Sequence, residues 1–188
     1  MYNEEEIKKK LKVDIGKKRF KHSLRVAKLA KELAINYGVD HDKAYIAGLT
    51  HDCAKYNEKF YINKFDIDIS NYPVLSIKDP ILHSFLGAEV VKKVYNIDDE
   101  DIVEAIKYHT TAKDDMNMLE KIIFIADSIE PARNFKGIEE IRNESFRDLD
   151  ETMLMLLDSN IKFLIYKKAL INPLTFIARN YLIEEKNG

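Results

Sequence analysis

The segment Leu119-Glu120-Lys121-Ile122-Ile123-Phe124-Ile125-Ala126-Asp127 is apolar on nearly every side of a helical wheel. A helix without a polar face has to be surrounded by other elements, so this segment predicts the central helix of a core that the rest of the chain wraps. Asp127 closes it and is expected to be buried or nearly so, where a lone carboxylate either loses its charge or acquires a cation. Elsewhere apolar residues recur at helical spacing and strand-like alternation is almost absent. The expected fold class is all-α.

Around that centre the spacing predicts a short charged helix over about 3–13, with Asn3 as its cap, and a long one over about 17–37 that stops at Gly38. On the long helix Arg19 falls inside the apolar arc and His22 on its border, so the guanidinium needs an anionic partner. A third helix, about 40–52, starts at the acidic cap Asp40 and carries His51-Asp52 at its polar end. A short helix over about 58–65 precedes a loop, 66–80, in which Tyr72, Val74 and Leu75 are candidates for contacts with a nucleobase. Helices over about 80–95 and 98–108 follow. The first carries His83 in its opening turns and Gly87 one turn later, leaving room for a close neighbour; the second ends at His109-Thr110-Thr111. After the central helix, which Glu130-Pro131 ends, come a turn at 134–137 and helices over about 138–146 and 148–168. A last helix is capped by Asn172-Pro173, with fraying expected after Ile183.

At 188 residues, 46% hydrophobic and 33% charged, the chain suits one domain over 1–188, with a core over about 17–130 and C-terminal helices over about 138–185. Thirty basic residues stand against 32 acidic ones, a net charge of -2, so nothing demands a nucleic-acid or membrane partner. The opening residues are too polar for a signal peptide, and no apolar run approaches membrane length. One cysteine, Cys53, rules out an internal disulfide framework and fits a reducing cytoplasm. The apolar stretch 152–164 could face a partner subunit in a homodimer as readily as the core.

Four of the five histidines and two aspartates sit against apolar segments: His22, His51, Asp52, His83, His109 and Asp127. The fifth, His41, reads as a surface residue. Each of the six taken singly has an ordinary explanation as a core-edge histidine, helix-end cation or cap. Together they read as a metal centre. Imidazole mixed with carboxylate suits iron, manganese, zinc or nickel better than magnesium.

The order His22, His51-Asp52, His83, His109, Asp127 resembles that of the HD superfamily of metal-dependent phosphohydrolases. The segments Arg19-Phe20-Lys21-His22-Ser23-Leu24-Arg25-Val26-Ala27, Thr50-His51-Asp52-Cys53-Ala54-Lys55, Lys107-Tyr108-His109-Thr110-Thr111 and Ile125-Ala126-Asp127-Ser128-Ile129-Glu130-Pro131-Ala132-Arg133 look more specifically like those of the YqeK family, the symmetrical diadenosine tetraphosphate hydrolases of bacteria. The likeness runs from about Arg19 to Tyr181. Two positions depart from it: Ala112 stands where the family usually has glycine, and Lys136 where a proline commonly precedes Gly137.

The resemblance implies an HD-domain helical bundle with two divalent metal ions, iron in the family. His22, His51, Asp52 and Asp127 would hold one ion; His83 and His109, with Asp52 bridging, the second. It implies hydrolysis of diadenosine tetraphosphate to two ADP by a metal-bound hydroxide. Asp52, Arg19 and Lys55 would be the catalytic residues, and Arg19 and Lys55, with His83, Thr110, Thr111, Arg133 and Asn134, would contact the polyphosphate or ribose. The alternatives are an HD-type nucleotidase acting on mononucleotides and a non-catalytic nucleotide sensor.

Overall fold

The structure is a computed structural model that describes residues 2–73 and 79–188; Val74 and Leu75, candidates for base contacts, lie outside the described residues. Among the described residues the chain forms helices and no strand. The order is α1 (Glu4–Asp14), α2 (Gly16–Tyr37), α3 (His41–Thr50), α4 (Glu58–Phe65), α5 (Leu82–Tyr95), α6 (Glu100–Tyr108), α7 (Met118–Ile129), α8 (Ile138–Glu144), α9 (Leu149–Tyr166) and α10 (Pro173–Asn187). None of them is long and apolar enough to cross a membrane.

Local chemistry explains most of the boundaries. Side-chain oxygens of Asn3, Asp40, Asp99, Asp148 and Asn172 accept from the exposed amides of the turns they open. At the head of α7 a capping box closes both ways: Asn117 accepts from the Glu120 amide, and the Glu120 carboxylate accepts from the Asn117 amide at 2.6 Å. Gly38 ends α2 in the left-handed region at φ 67°.

Two boundaries differ from expectation. Helix α3 stops at Thr50 and the chain turns over 51–56, so His51 and Asp52 are fully buried instead of lying at a polar helix end. Helix α10 does not fray after Ile183 but runs to Asn187, because buried Leu182 anchors it and Lys186 pairs with Glu151 of α9.

Helix α7 is the hub, packed against α2, α3, α6, α8 and α9. Ile122, Ile123, Ile125 and Ala126 have no exposed surface, as its apolar circumference requires. Helix α2 lies so close to α3 that a Cβ at Gly48 would come within 2.9 Å of the Ala27 Cα. A Cβ at Gly87 of α5 would stand 3.0 Å from Ile106 of α6 and 3.6 Å from the His51 carbonyl. Both glycines thus draw together the helices on which the histidines are mounted.

Gly48→Ala forces α2 and α3 apart at a backbone contact. It is expected to destabilise the protein by about 1–3 kcal/mol, read as a lower urea midpoint with an unchanged denaturant slope.

Candidate metal centre

Three of the histidines are oriented by one repeated device. The Nδ1 atoms of His51, His83 and His109 each lie 2.7 Å from the carbonyl oxygen three residues earlier, on Gly48, Pro80 and Ile106. A carbonyl only accepts, so each Nδ1 carries the proton and each Nε2 is turned inward. His22 reaches the same point from α2, with its Nδ1 3.1 Å from the Glu130 carboxylate.

The carboxylates lie among these nitrogens. Asp127 Oδ1 is 2.9 Å from His22 Nε2 and 3.8 Å from His51 Nε2. Asp52 divides its two oxygens: Oδ2 is 3.0 Å from His51 Nε2 and 3.7 Å from His22 Nε2, while Oδ1 is 3.2 Å from His83 Nε2 and 3.9 Å from His109 Nε2. His83 and His109 bring their Nε2 atoms within 3.2 Å of each other. With both Nδ1 atoms protonated, that contact sets one lone pair against another unless a cation or an added proton sits between them.

The donor chemistry fits divalent metal. His22, His51 and Asp127 form one group able to hold an ion; His51, Asp52 and His109 form another. Donors that share an ion at about 2.0–2.2 Å each stand roughly 3–4 Å apart, as these do. Buried His22 Nε2, His51 Nε2 and Asp52 Oδ1 lack hydrogen-bond partners, although buried polar atoms are rarely left so.

The electrostatics are those of charges sharing a dry space. Burial opposes ionisation of Asp52, yet His51, His83 and His109 hold it well below the usual carboxylate range. Asp127 is likewise held down, against burial, by His22 and His51. Burial pushes His109 down to about 3, and His51 and His83 add to the shift. His51 moves up instead, because Asp52 and Asp127 outweigh its burial.

Cations border the cluster. Arg19 forms an ion pair with Asp52 Oδ2 through both Nε and Nη2, supplying the anionic partner that its place in an apolar arc demanded. Lys55 Nζ lies 3.1 Å from His83 Nε2, and burial, reinforced by Arg19, lowers its pKa against the pull of Asp52. Arg133 holds the Asp127 carbonyl at 3.0 Å and its Oδ1 at 2.7 Å.

The outer polar residues do not all converge. Thr110 is half-buried and shares a 2.8 Å hydrogen bond with Ser84 Oγ. Thr111, expected to contact substrate, is buried, and its carbonyl accepts from the Thr175 hydroxyl of α10 at 3.1 Å. Ala112 stands in the left-handed region at φ 57°, a conformation that glycine adopts without steric cost. Asn134 is exposed on the turn before α8. Tyr72 packs against Phe85, ring centres 5.9 Å apart.

A cavity of about 440 Å³ opens beside His109, Thr110, Asp127 and Arg133 and extends between α7 and α9. Its α9 wall, and Glu130 with Arg25 behind His22, escaped the sequence reading. Glu130 is buried, and bonds from Arg25 and the Ala132 amide, with His22, outweigh that burial to hold its carboxyl at about 2. The available signal was spacing: Arg25 and Glu130 each follow a ligand candidate, His22 and Asp127, by three residues.

Residues 19–132, from α2 to just beyond α7, match the HD domain model. The chain belongs to the HD family. It is 37% identical over 177 residues, 94% of this chain and 95% of the relative, to the "Bis(5'-nucleosyl)-tetraphosphatase, symmetrical" of Halalkalibacterium halodurans. A protein of the same description from Staphylococcus aureus is 38% identical over 183 residues, covering 95% of this chain and 94% of the relative. The crystal structure of a predicted HD superfamily hydrolase involved in NAD metabolism from Clostridium acetobutylicum superposes with a TM-score of 0.89 at 41% identity, over 98% of this chain and 99% of the other. In this HD protein the matched region carries all six donors.

Glu130→Gln removes the charge behind His22 while preserving shape. Metal affinity is expected to fall about 10- to 100-fold in chelator competition, with the helical circular dichroism unchanged.

Proposed function

We propose that this HD protein hydrolyses diadenosine tetraphosphate symmetrically to two molecules of ADP in a metal-dependent reaction. The geometric observation that carries the reading is the division of the Asp52 carboxylate between two sets of imidazole nitrogens. Relatives matched over nearly the whole chain are described as symmetrical tetraphosphatases, which favours that substrate over a mononucleotide and catalysis over a sensor.

In this reading His22, His51, Asp52 and Asp127 would hold one divalent ion, and His83 and His109, together with Asp52, would hold the second. The donor set suits iron, manganese, zinc or nickel over magnesium, and we assign iron. When bound, such a pair supplies Lewis acidity, lowers the pKa of water and neutralises charge on phosphoryl oxygens. The backbone carbonyls of Gly48, Pro80 and Ile106 keep three imidazoles in the tautomer whose Nε2 is free to bind.

Symmetrical cleavage adds one water across the central anhydride and leaves two phosphates on each nucleoside. Four phosphates carry several negative charges, and Arg19, Lys55 and Arg133 are the cations beside the cluster. Arg133 lines the cavity beside the cluster with its side chain 39% exposed, where its guanidinium can meet phosphate. Arg19, paired with Asp52, and Lys55, beside His83, stabilise charge at the reacting phosphoryl group. Thr110 adds a hydroxyl to the cavity lining. The whole chain, 1–188, serves as one domain around this centre, and we take the reducing cytoplasm as its compartment.

Anaerobically purified protein is expected to contain iron and to convert diadenosine tetraphosphate to ADP alone; ATP plus AMP would overturn the reading. His51→Ala and Asp52→Ala should each abolish turnover and metal binding while the far-ultraviolet spectrum stays helical. Arg19→Ala should retain metal and lose about 10²–10³-fold in kcat.

A further inference from the structure

Helix α10 carries none of the six donors, yet its first turn is fastened to the segments that carry two of them. Its buried face is Thr175, Ala178 and Leu182, at i, i+3 and i+7. A hydroxyl thus stands where packing alone calls for an aliphatic side chain. The Thr175 hydroxyl, in a residue 3% exposed, donates to the Thr111 carbonyl at 3.1 Å. Thr111 follows His109 by two residues, and Ala112, next in the chain, is buried at φ 57°. A side chain in the left-handed region persists only where its surroundings fix it. Three residues before Thr175, Asn172 divides its amide: Oδ1 accepts from the Leu174 amide as the helix cap, and Nδ2 donates to the Pro73 carbonyl at 2.6 Å. Beside Pro73, Tyr72 packs on Phe85 of α5, and Phe85 on Tyr108 at the end of α6, both pairs of ring centres 5.9 Å apart. Phe85 is two residues from His83, and Tyr108 adjoins His109.

The His83 and His109 segments are also joined to each other, through Ser84 Oγ and Thr110 Oγ1 at 2.8 Å. Helix α10 adds a fixing point from outside that pair. We propose that its first turn is a positioning clamp for the second metal set: Thr175, through the Thr111 carbonyl, and Asn172, through Pro73, hold His83 and His109 at their spacing from Asp52. The proposal rests on the two-ion reading above and deepens it. Neither Thr175 nor Asn172 is a donor, and both act through the main chain of a neighbouring segment, which makes them positioning residues. The nitrogens they hold, Nε2 of His83 and of His109, stand 3.2 Å from each other, and 3.2 and 3.9 Å from Asp52 Oδ1. One ion can bridge such donors only while those spacings are kept. A shift of the 109–112 turn takes His109 off this point and leaves His22, His51 and Asp127, mounted on other segments, in place.

The test is chelator competition on the zinc-loaded whole chain, which reads each ion's affinity without turnover. Thr175→Val keeps the shape and removes the donor. It is expected to weaken one of two ions about 10- to 100-fold and to spare the other, the ion that Glu130→Gln loosens. Thr175→Ser should restore both affinities. Ala112→Gly, which takes a positive φ without steric cost, should recover part of the loss in the Thr175→Val background. Asn172→Asp retains the helix cap, loses the bond to Pro73 and should weaken the same ion as Thr175→Val. Unchanged affinities in Thr175→Val, or equal losses of both ions, would overturn the clamp. A wild type that holds a single zinc refutes the two-ion reading, and imidazole nitrogen-15 resonances then decide the clamp. It is upheld if Thr175→Val shifts those of His83 and His109 and spares those of His22 and His51, and overturned if all four move alike or none moves. A wild type with two zinc ions and no action on diadenosine tetraphosphate refutes the hydrolase reading and leaves the clamp to stand or fall on the metal affinities.

Discussion

A carboxylate with no exposed surface, both of its oxygens facing imidazole nitrogens, is the constraint on which the rest of this structure depends. Burying Asp52 without compensation would cost several kcal/mol. Its partners arrive from separate elements: His22 and Arg19 on α2, His51 beside it, His83 on α5 and His109 after α6. The fold holds these elements at backbone distance, and Gly48 and Gly87 are the positions that permit the approach. Close packing and site chemistry are here one requirement.

The orientation of the imidazoles is as economical as their placement. In three of them a main-chain carbonyl from the preceding turn fixes the tautomer, so the same helix end that delivers the histidine also aims it. His22, in the middle of α2, has no such free carbonyl beside it, because the backbone there is engaged in the helix. It takes Glu130 instead, and Glu130 is secured in turn by Arg25. Arg142 of α8 then donates to the carbonyls of Ile129, Glu130 and Arg133, satisfying the C-terminal end of α7 that would otherwise lack partners.

Much of this was legible in the residue order. The all-round apolar Leu119–Asp127 segment could only be a hub, and Arg19 in an apolar arc could only be paired. The burial of His51-Asp52 was not legible, because it follows from a turn that bends into the core after Thr50, and periodicity reports on helices and not on where the next turn leads. Glu130 was masked by Pro131, whose signal is a helix stop. The destination of Thr111 depends on α10, which returns from more than sixty residues away in the chain to take its carbonyl. The α9 wall was hidden for a related reason: a stripe of Leu, Ser, Asn and Phe looks like an indifferent amphipathic face until α7 is set opposite it.

The donors fall into two groups by their place in the fold. His22 and Asp127 lie on α2 and α7 and His51 just after α3, whereas His83 lies on α5 and His109 just after its neighbour α6. Asp52 belongs to the turn after α3 and touches both groups. Ions held by both groups would act as rivets between them, adding to the packing of α6 on α3 and α7. On that view a bound cofactor would also be a mechanical component, tying together side chains that the chain delivers from separate helices.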